Sequence, residues 1–185
     1  MDRQRVAVAM TGDHAAFSAI AAESIGRLLA TARLILHDSH WAEDAVQEAL
    51  VEAWRNIRGL RDPDRFEPWL RRVVVRACYD MAKRNQRHRV IEVAMVSSVD
   101  PTSSDDGLEL PIHDQLERAM RQLSTDQRAV LVLTYYLDLS LAEAAGTLGI
   151  PIGTMKSRLN RSLAALRARL DADDREPARA QERFA

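Results

Sequence analysis

The stretch Ser140-Leu141-Ala142-Glu143-Ala144-Ala145-Gly146-Thr147-Leu148-Gly149-Ile150-Pro151-Ile152-Gly153-Thr154-Met155-Lys156-Ser157-Arg158-Leu159 reads as a short helix, a glycine turn and a second, cationic helix. Ser140 with Glu143 three residues on has the form of a capping box. Leu141, Ala144, Ala145 and Leu148 then share one side of the helix it opens. Gly149 supplies the backbone freedom needed to stop that helix. After Pro151 and Gly153 the spacing predicts a longer helix with Met155, Leu159, Leu163, Leu166 and Leu170 on one stripe. At about 100° per residue, Thr154, Ser157, Asn160 and Arg161 fall broadly opposite it, with Lys156 and Arg158 on its flanks. The charged residues from Ile152 to Arg169 are all basic, which suits phosphates and base edges. A basic helix alone is most simply a solvated face. The glycine turn and the packable first helix make this one part of a helix-turn-helix.

Around that motif lies a chain of 185 residues, 46% hydrophobic, long enough for one domain or two small ones. Its formal net charge of -1 and pI near 6.5 mean that any nucleic-acid binding must come from local segregation of charge. Lys and Arg do gather between Arg71 and Arg89 and between Lys156 and Arg169. Acids gather from Glu43 to Glu52, around Asp100 to Asp114, and in the tail. The single cysteine, Cys78, sits in an apolar helical pattern and reads as a buried filler. The five histidines have no ligand spacing, so no metal site is expected. No nucleophile with a partnered base and no phosphate-cradling glycine loop stands out, so neither an enzyme nor a cofactor is expected. The N-terminus leads into no secretory apolar core, and no run approaches the roughly 20 apolar residues of a membrane span. A cytoplasmic, soluble protein with no membrane span of its own is the expectation.

From Ser97 to Pro111 breakers and acids follow one another without a sustained period, which is the composition of a linker. Helical periods fill the rest. The expected fold is therefore all-α: two small helical domains joined by a flexible linker, the C-terminal one a helix-turn-helix, winged-helix-like DNA-binding domain. Boundaries fall at 10–95, 96–111 for the linker and 112–170, with a fraying polar tail over 171–185.

In the first domain a long helix runs from Phe17 through Leu36. Asp38 or Ser39 caps the next, whose buried stripe is Trp41, Ala45, Val46, Ala49, Leu50, Ala53, Trp54 and Ile57. Asp44, Gln47, Glu48, Glu52 and Arg55 occupy its other face, an acidic surface suited to a basic protein partner. A polar loop from Asn56 to Arg65 leads to a third helix with Pro68 in its first turn. That helix buries Phe66, Leu70, Val73, Val74, Ala77 and Met81, and Asp80 is placed to pair with Arg76 or Arg84. Arg71, Arg72, Lys83, Arg87 and Arg89 are left over as a second nucleic-acid face. In the second domain Ser124 and Gln127 form another capping box, opening a helix that buries Val130, Leu131, Leu133, Thr134 and Leu137. Tyr135 and Tyr136 are expected to be buried or half-buried there.

Three segments in this order resemble the extracytoplasmic-function (ECF) group of bacterial RNA polymerase sigma factors, over about residues 14 to 170. They are Ala42-Glu43-Asp44-Ala45-Val46-Gln47-Glu48-Ala49; Phe66 with Trp69-Leu70, Asp80 and Arg84; and Leu123-Ser124 through Gly153-Thr154-Met155-Lys156-Ser157-Arg158-Leu159. The resemblance implies a subunit that binds core RNA polymerase and directs promoter-specific initiation. It implies that Asp44, Gln47 and Glu48 dock on the clamp helices of the largest subunit, with the flap as a further contact of the protein. It assigns the minus-10 element to Arg58, Arg61, Arg65, Trp69, Arg71, Arg72, Arg76, Lys83, Arg84 and Arg87, in a loop and helix that take a flipped base. Thr154, Lys156, Ser157, Arg158 and Arg161 would enter the major groove at the minus-35 element. An anti-sigma factor is the further partner it implies. The chain departs from the family pattern at Arg76, where Asn is usual, at Glu143-Ala144-Ala145, where Glu-Ile-Ala is usual, and at Met155, where Val is common. The resemblance thus extends to the class and not to the promoter sequence. An autonomous helix-turn-helix repressor or response regulator is the alternative, and it leaves the Gln47–Glu48 helix and the basic Arg71–Arg89 segment without a role.

Overall fold

Asp2 opens helix α1 (Arg3–Met10) by accepting the Gln4 N–H. Gly12, at φ 97, turns the chain, and Asp13 caps α2 (His14–Leu36) through the Ala16 N–H. Helix α2 ends on His37 in the left-handed conformation, after which Asp38 caps α3 (Ser39–Asn56) at 2.9 Å from the Trp41 nitrogen. Two 3₁₀ turns, Ile57–Gly59 and Pro63–Arg65, lead into α4 (Phe66–Met95). The computed structural model describes residues 2–95 and 111–182, with side chains over 2–85 and 115–172. Contacts divide the chain into two units, Met1–Ser103 and Ser104–Ala185. Most of the expected linker, 96–110, lies outside the described residues.

The first unit is held by an apolar cluster in which Val6 and Ala9 of α1 meet Phe17 and Ile20 of α2, Ala53 of α3, Ile57, and Phe66 and Leu70 of α4. Helix α1 precedes the boundary drawn at residue 10, yet it contributes two side chains to this core. The expected stripe of α4 is buried throughout, joined by Val75 and Cys78. Burial pushes the Cys78 thiol up to about 12, which suppresses the thiolate and fits a packing role. Two buried hydroxyls in α2 are satisfied locally, Ser24 donating to the Ile20 carbonyl and Thr31 to that of Arg27.

The second unit comprises α5 (Pro111–Arg121), α6 (Thr125–Leu131), α7 (Leu141–Leu148) and α8 (Ile152–Glu182). Both capping boxes form, Ser124 with Gln127 and Ser140 with Glu143. Gly149 closes α7 at φ 65, where a side chain would strain the backbone. Helix α8 begins at Ile152, ahead of Gly153, and runs on to Glu182, so the tail expected to fray from Asp171 continues the helix. Leu133 just after α6, Ala144 of α7 and Met155 of α8 are fully buried, and α8 packs on both α6 and α7. No strand occurs among the described residues, so the motif is built from helices without a β-wing.

One feature of this unit departs from the sequence expectation, and a second has no counterpart in it. Helix α6 passes directly into a π turn, Val132–Tyr136. The residue that this turn inserts shifts the helical phase and carries Tyr135 and Tyr136 outward, to 63% and 51% exposure. Arg128 is buried, donating from Nη1 to the Leu123 carbonyl at 2.5 Å and from Nη2 to Thr125 Oγ1 at 3.4 Å. Desolvation draws its pKa down, and these donations satisfy carbonyl and hydroxyl groups at the α5–α6 turn.

Candidate nucleic-acid interface

Helix α4 presents the clearest cationic surface. Its buried residues fix one side against α2 and α3, which leaves Arg72, Arg76 and Lys83 exposed on the other. At about 100° per residue these three fall within about 40° of one another, with Trp69 beside them. None has a carboxylate partner among the described residues. The Trp69 ring is half-buried and tilted against Phe66 at 5.8 Å, so its position is set by the core. Arg71 does not join this stripe. Five residues from Arg76, it lies about 140° round the helix and is half-buried. The Arg87 side chain lies outside the described residues.

Arg84 also leaves the stripe, and for a stronger reason. Its Nη1 and Nη2 donate to Glu48 Oε1 and Oε2 of α3 at 2.8 and 2.5 Å, a two-pronged ion pair across the helix interface. The pairing with Asp80 expected from four-residue spacing is replaced by this tertiary contact. Accepting these hydrogen bonds from Arg84 holds the Glu48 carboxyl below the usual range, and the same contact raises Arg84 in turn.

On α3 the exposed face carries Asp44, Gln47, Glu48 and also Val51, which is 44% exposed. Val51 follows Gln47 by four residues and Glu48 by three, so it stands among them. The helical period places it on that face, but its apolar character gave no functional signal. His40 lies 3.9 Å from Asp44, and Glu43 is tied to Arg33 of α2 at 3.2 Å.

Between these helices the loop cations differ in freedom. The Arg58 guanidinium lies on Gly12, whose φ of 97 is strained for any residue with a side chain. Arg65 is 82% exposed and 3.8 Å from Asp62. Arg61 is exposed with no ion pair among the described residues.

In the second unit Met155 anchors α8 and leaves Lys156, Ser157 and Arg161 exposed, with Thr154 half-buried. Arg158 is half-buried and points to Asp126 of α6 at 3.7 Å. Arg161 turns back to donate from Nε to the Ser157 carbonyl at 3.3 Å, and the Ser157 hydroxyl donates to the Thr154 carbonyl at 3.0 Å. Lys156 is thus the uncommitted cation among these five residues. No helix among the described residues is long and apolar enough to cross a membrane, and none of their His, Cys, Asp and Glu side chains form a metal-holding group.

Comparison with known proteins covers both units. Sigma-70 region 2 matches residues 21–88 and Sigma-70 region 4 matches residues 113–166. The chain is 33% identical over 165 residues to the ECF RNA polymerase sigma factor SigM of Mycobacterium tuberculosis, covering 89% of this chain and 82% of that protein. It is 26% identical over 181 residues to the ECF RNA polymerase sigma factor SigW of Bacillus subtilis, covering 92% and 97%. Among solved structures it is similar to the sigma factor RpoE in complex with the anti-sigma factor NepR from Bartonella quintana. That match has a TM-score of 0.65 at 27% identity, over 85% of this chain and 98% of the other. CnrH in complex with the cytosolic domain of CnrY gives a TM-score of 0.64 at 31% identity, over 93% and 98%. The chain therefore belongs to the ECF RNA polymerase sigma factors. Its function is that of the family, promoter-specific transcription initiation with RNA polymerase.

Proposed function

We propose a division of labour between the two units. The first, over about residues 10–95, docks through Asp44, Gln47, Glu48 and Val51 of α3 on a basic surface of core polymerase, the clamp helices of the largest subunit. Its α4 stripe, Trp69 with Arg72, Arg76 and Lys83, engages the minus-10 element together with Arg61 and Arg65. The second, over about residues 112–170, sets Thr154, Lys156 and Ser157 into the major groove at minus-35 and rests on the flap. The segment 96–111 links them. No step is chemical. The protein selects where the polymerase starts and holds the opened strand by charge and stacking. It acts in the cytoplasm, and an anti-sigma factor that covers these surfaces holds it inactive.

The single observation that carries this reading is the contrast along α4. Three exposed cations on one stripe lack carboxylate partners among the described residues, while the cation on the flank facing α3 is taken by Glu48. A merely solvated helix gives no reason for that sorting. The test is in vitro transcription with purified core polymerase on genomic fragments. Initiation at discrete sites that depends on the added protein is expected; an absence of protein-dependent starts on every fragment would overturn the reading.

A further inference from the structure

One contact in the first unit joins its two proposed surfaces. Arg84 and Glu48 are 36 residues apart, and each guanidinium nitrogen meets its own carboxylate oxygen. About five turns on from buried Phe66, Arg84 leaves α4 on the side that meets α3, roughly 80–100° from Arg76 and Lys83. Asp44 and Asp80 add attraction from either helix, so Arg84 stands in a field of three carboxylates. A phosphate would have to draw it out of that field.

We infer that Arg84 is a positioning residue for the polymerase-docking helix and not a contact of promoter DNA. The inference rests on the function proposed above and sharpens it. A glutamate on an exposed helix face samples several rotamers. The planar fork of an arginine fixes both carboxylate oxygens at once, which a lysine does not. With Glu48 held beside Gln47 and Val51, less side-chain freedom is lost when a partner lands on α3.

The test uses the full-length chain and two separate titrations: core polymerase without DNA, and assembled holoenzyme on promoter DNA over a range of salt. Arg84→Ala is expected to weaken core binding by about two- to tenfold, the range set by freeing one long side chain. It leaves the salt slope of DNA binding unchanged. Arg84→Lys, which keeps the charge and loses the fork, falls between wild type and Arg84→Ala and decides the matter should the alanine variant fold poorly. The double variant Glu48→Ala/Arg84→Ala binds core no more weakly than Glu48→Ala alone. Arg72→Ala shows the reverse pattern, with core binding kept and the salt slope reduced.

Unchanged core binding in both Arg84 variants overturns the inference, as does a salt slope lowered by about 0.7–0.9, the loss of one phosphate contact. Wild-type protein that fails to bind core polymerase overturns the functional reading, and this inference with it. That result is separable because it appears before any substitution is made.

Discussion

The cations of α4 and those of α8 are kept in different ways. On α4, Arg72, Arg76 and Lys83 stand exposed without ion-pair partners among the described residues. Over residues 154–161 of α8, Arg158 is drawn to Asp126 and Arg161 to the Ser157 carbonyl, leaving Lys156 uncommitted. A helix that rests in a duplex groove benefits from side chains held in register, because base-edge hydrogen bonds depend on geometry. A helix that grips an opened strand benefits from mobile charge, because phosphate attraction is tolerant of position. On the function proposed above, the difference assigns most of the electrostatic grip to the first unit and most of the alignment to the second.

The largest expected effect tests the anchoring of α8. Met155 is fully buried, and Met155→Ala is expected to cost the second unit about 2–5 kcal/mol, measured by denaturant unfolding. A loss under about 1 kcal/mol would mean that packing does not hold the recognition helix in register. Next comes the cap of α7. Ser140 accepts the Glu143 N–H, so Ser140→Ala should lower stability by about 1 kcal/mol in the same assay.

Salt titrations of holoenzyme on promoter DNA sharpen the contrast of charge. Removing Arg72, Arg76 or Lys83 singly should reduce the slope by about 0.7–0.9 each. Arg158→Ala should reduce it by less than half as much, since Asp126 already neutralises part of that charge. Asp126→Asn should steepen the slope by releasing Arg158. Equal effects from the two helices would dissolve the distinction.

The smallest effect concerns the Glu48–Arg84 pair. Both groups are about half exposed, and pairs of that kind contribute about 0.2–1 kcal/mol. Arg84 lowers the Glu48 pKa in the fold, so the stabilisation is complete above the ordinary glutamate value of about 4.3 and is lost as pH falls through the lowered folded value. The difference in Tm between wild type and Glu48→Gln should therefore be constant near neutrality and shrink in acid. A difference that grows in acid would contradict the pairing.

What could be read from the sequence follows the range of the forces involved. The caps at Ser124, Ser140 and Gly149 and the stripe of α4 are local, spanning three or four residues, and they stand in the structure as read, while the α3 stripe keeps its small residues buried and leaves Trp41, Leu50 and Trp54 half-buried. Helix α1 is hard to read from the sequence because it is two turns long and offers only Val6 and Ala9 to the core; Asp2 and Gly12 at its ends are its local signals. The π turn at Val132–Tyr136 is announced by no local spacing. Four-residue spacing offers Arg84 to Asp80, and the resemblance assigns it to the minus-10 element. Its partner lies on another helix, and only the tertiary fold brings them together. Composition groups Arg71 with its neighbours, although the helical period alone separates it from Arg72 and Arg76.

The most direct measurement is initiation by reconstituted holoenzyme on two templates, one fully duplex and one opened in advance at the minus-10 element. Variants combining Arg72→Ala, Arg76→Ala and Lys83→Ala should start poorly on duplex DNA and recover in large part on the opened template. Lys156→Ala should remain impaired on both. Recovery of Lys156→Ala on the opened template, with none for the α4 variants, would contradict the assignment of opening to the first unit and alignment to the second.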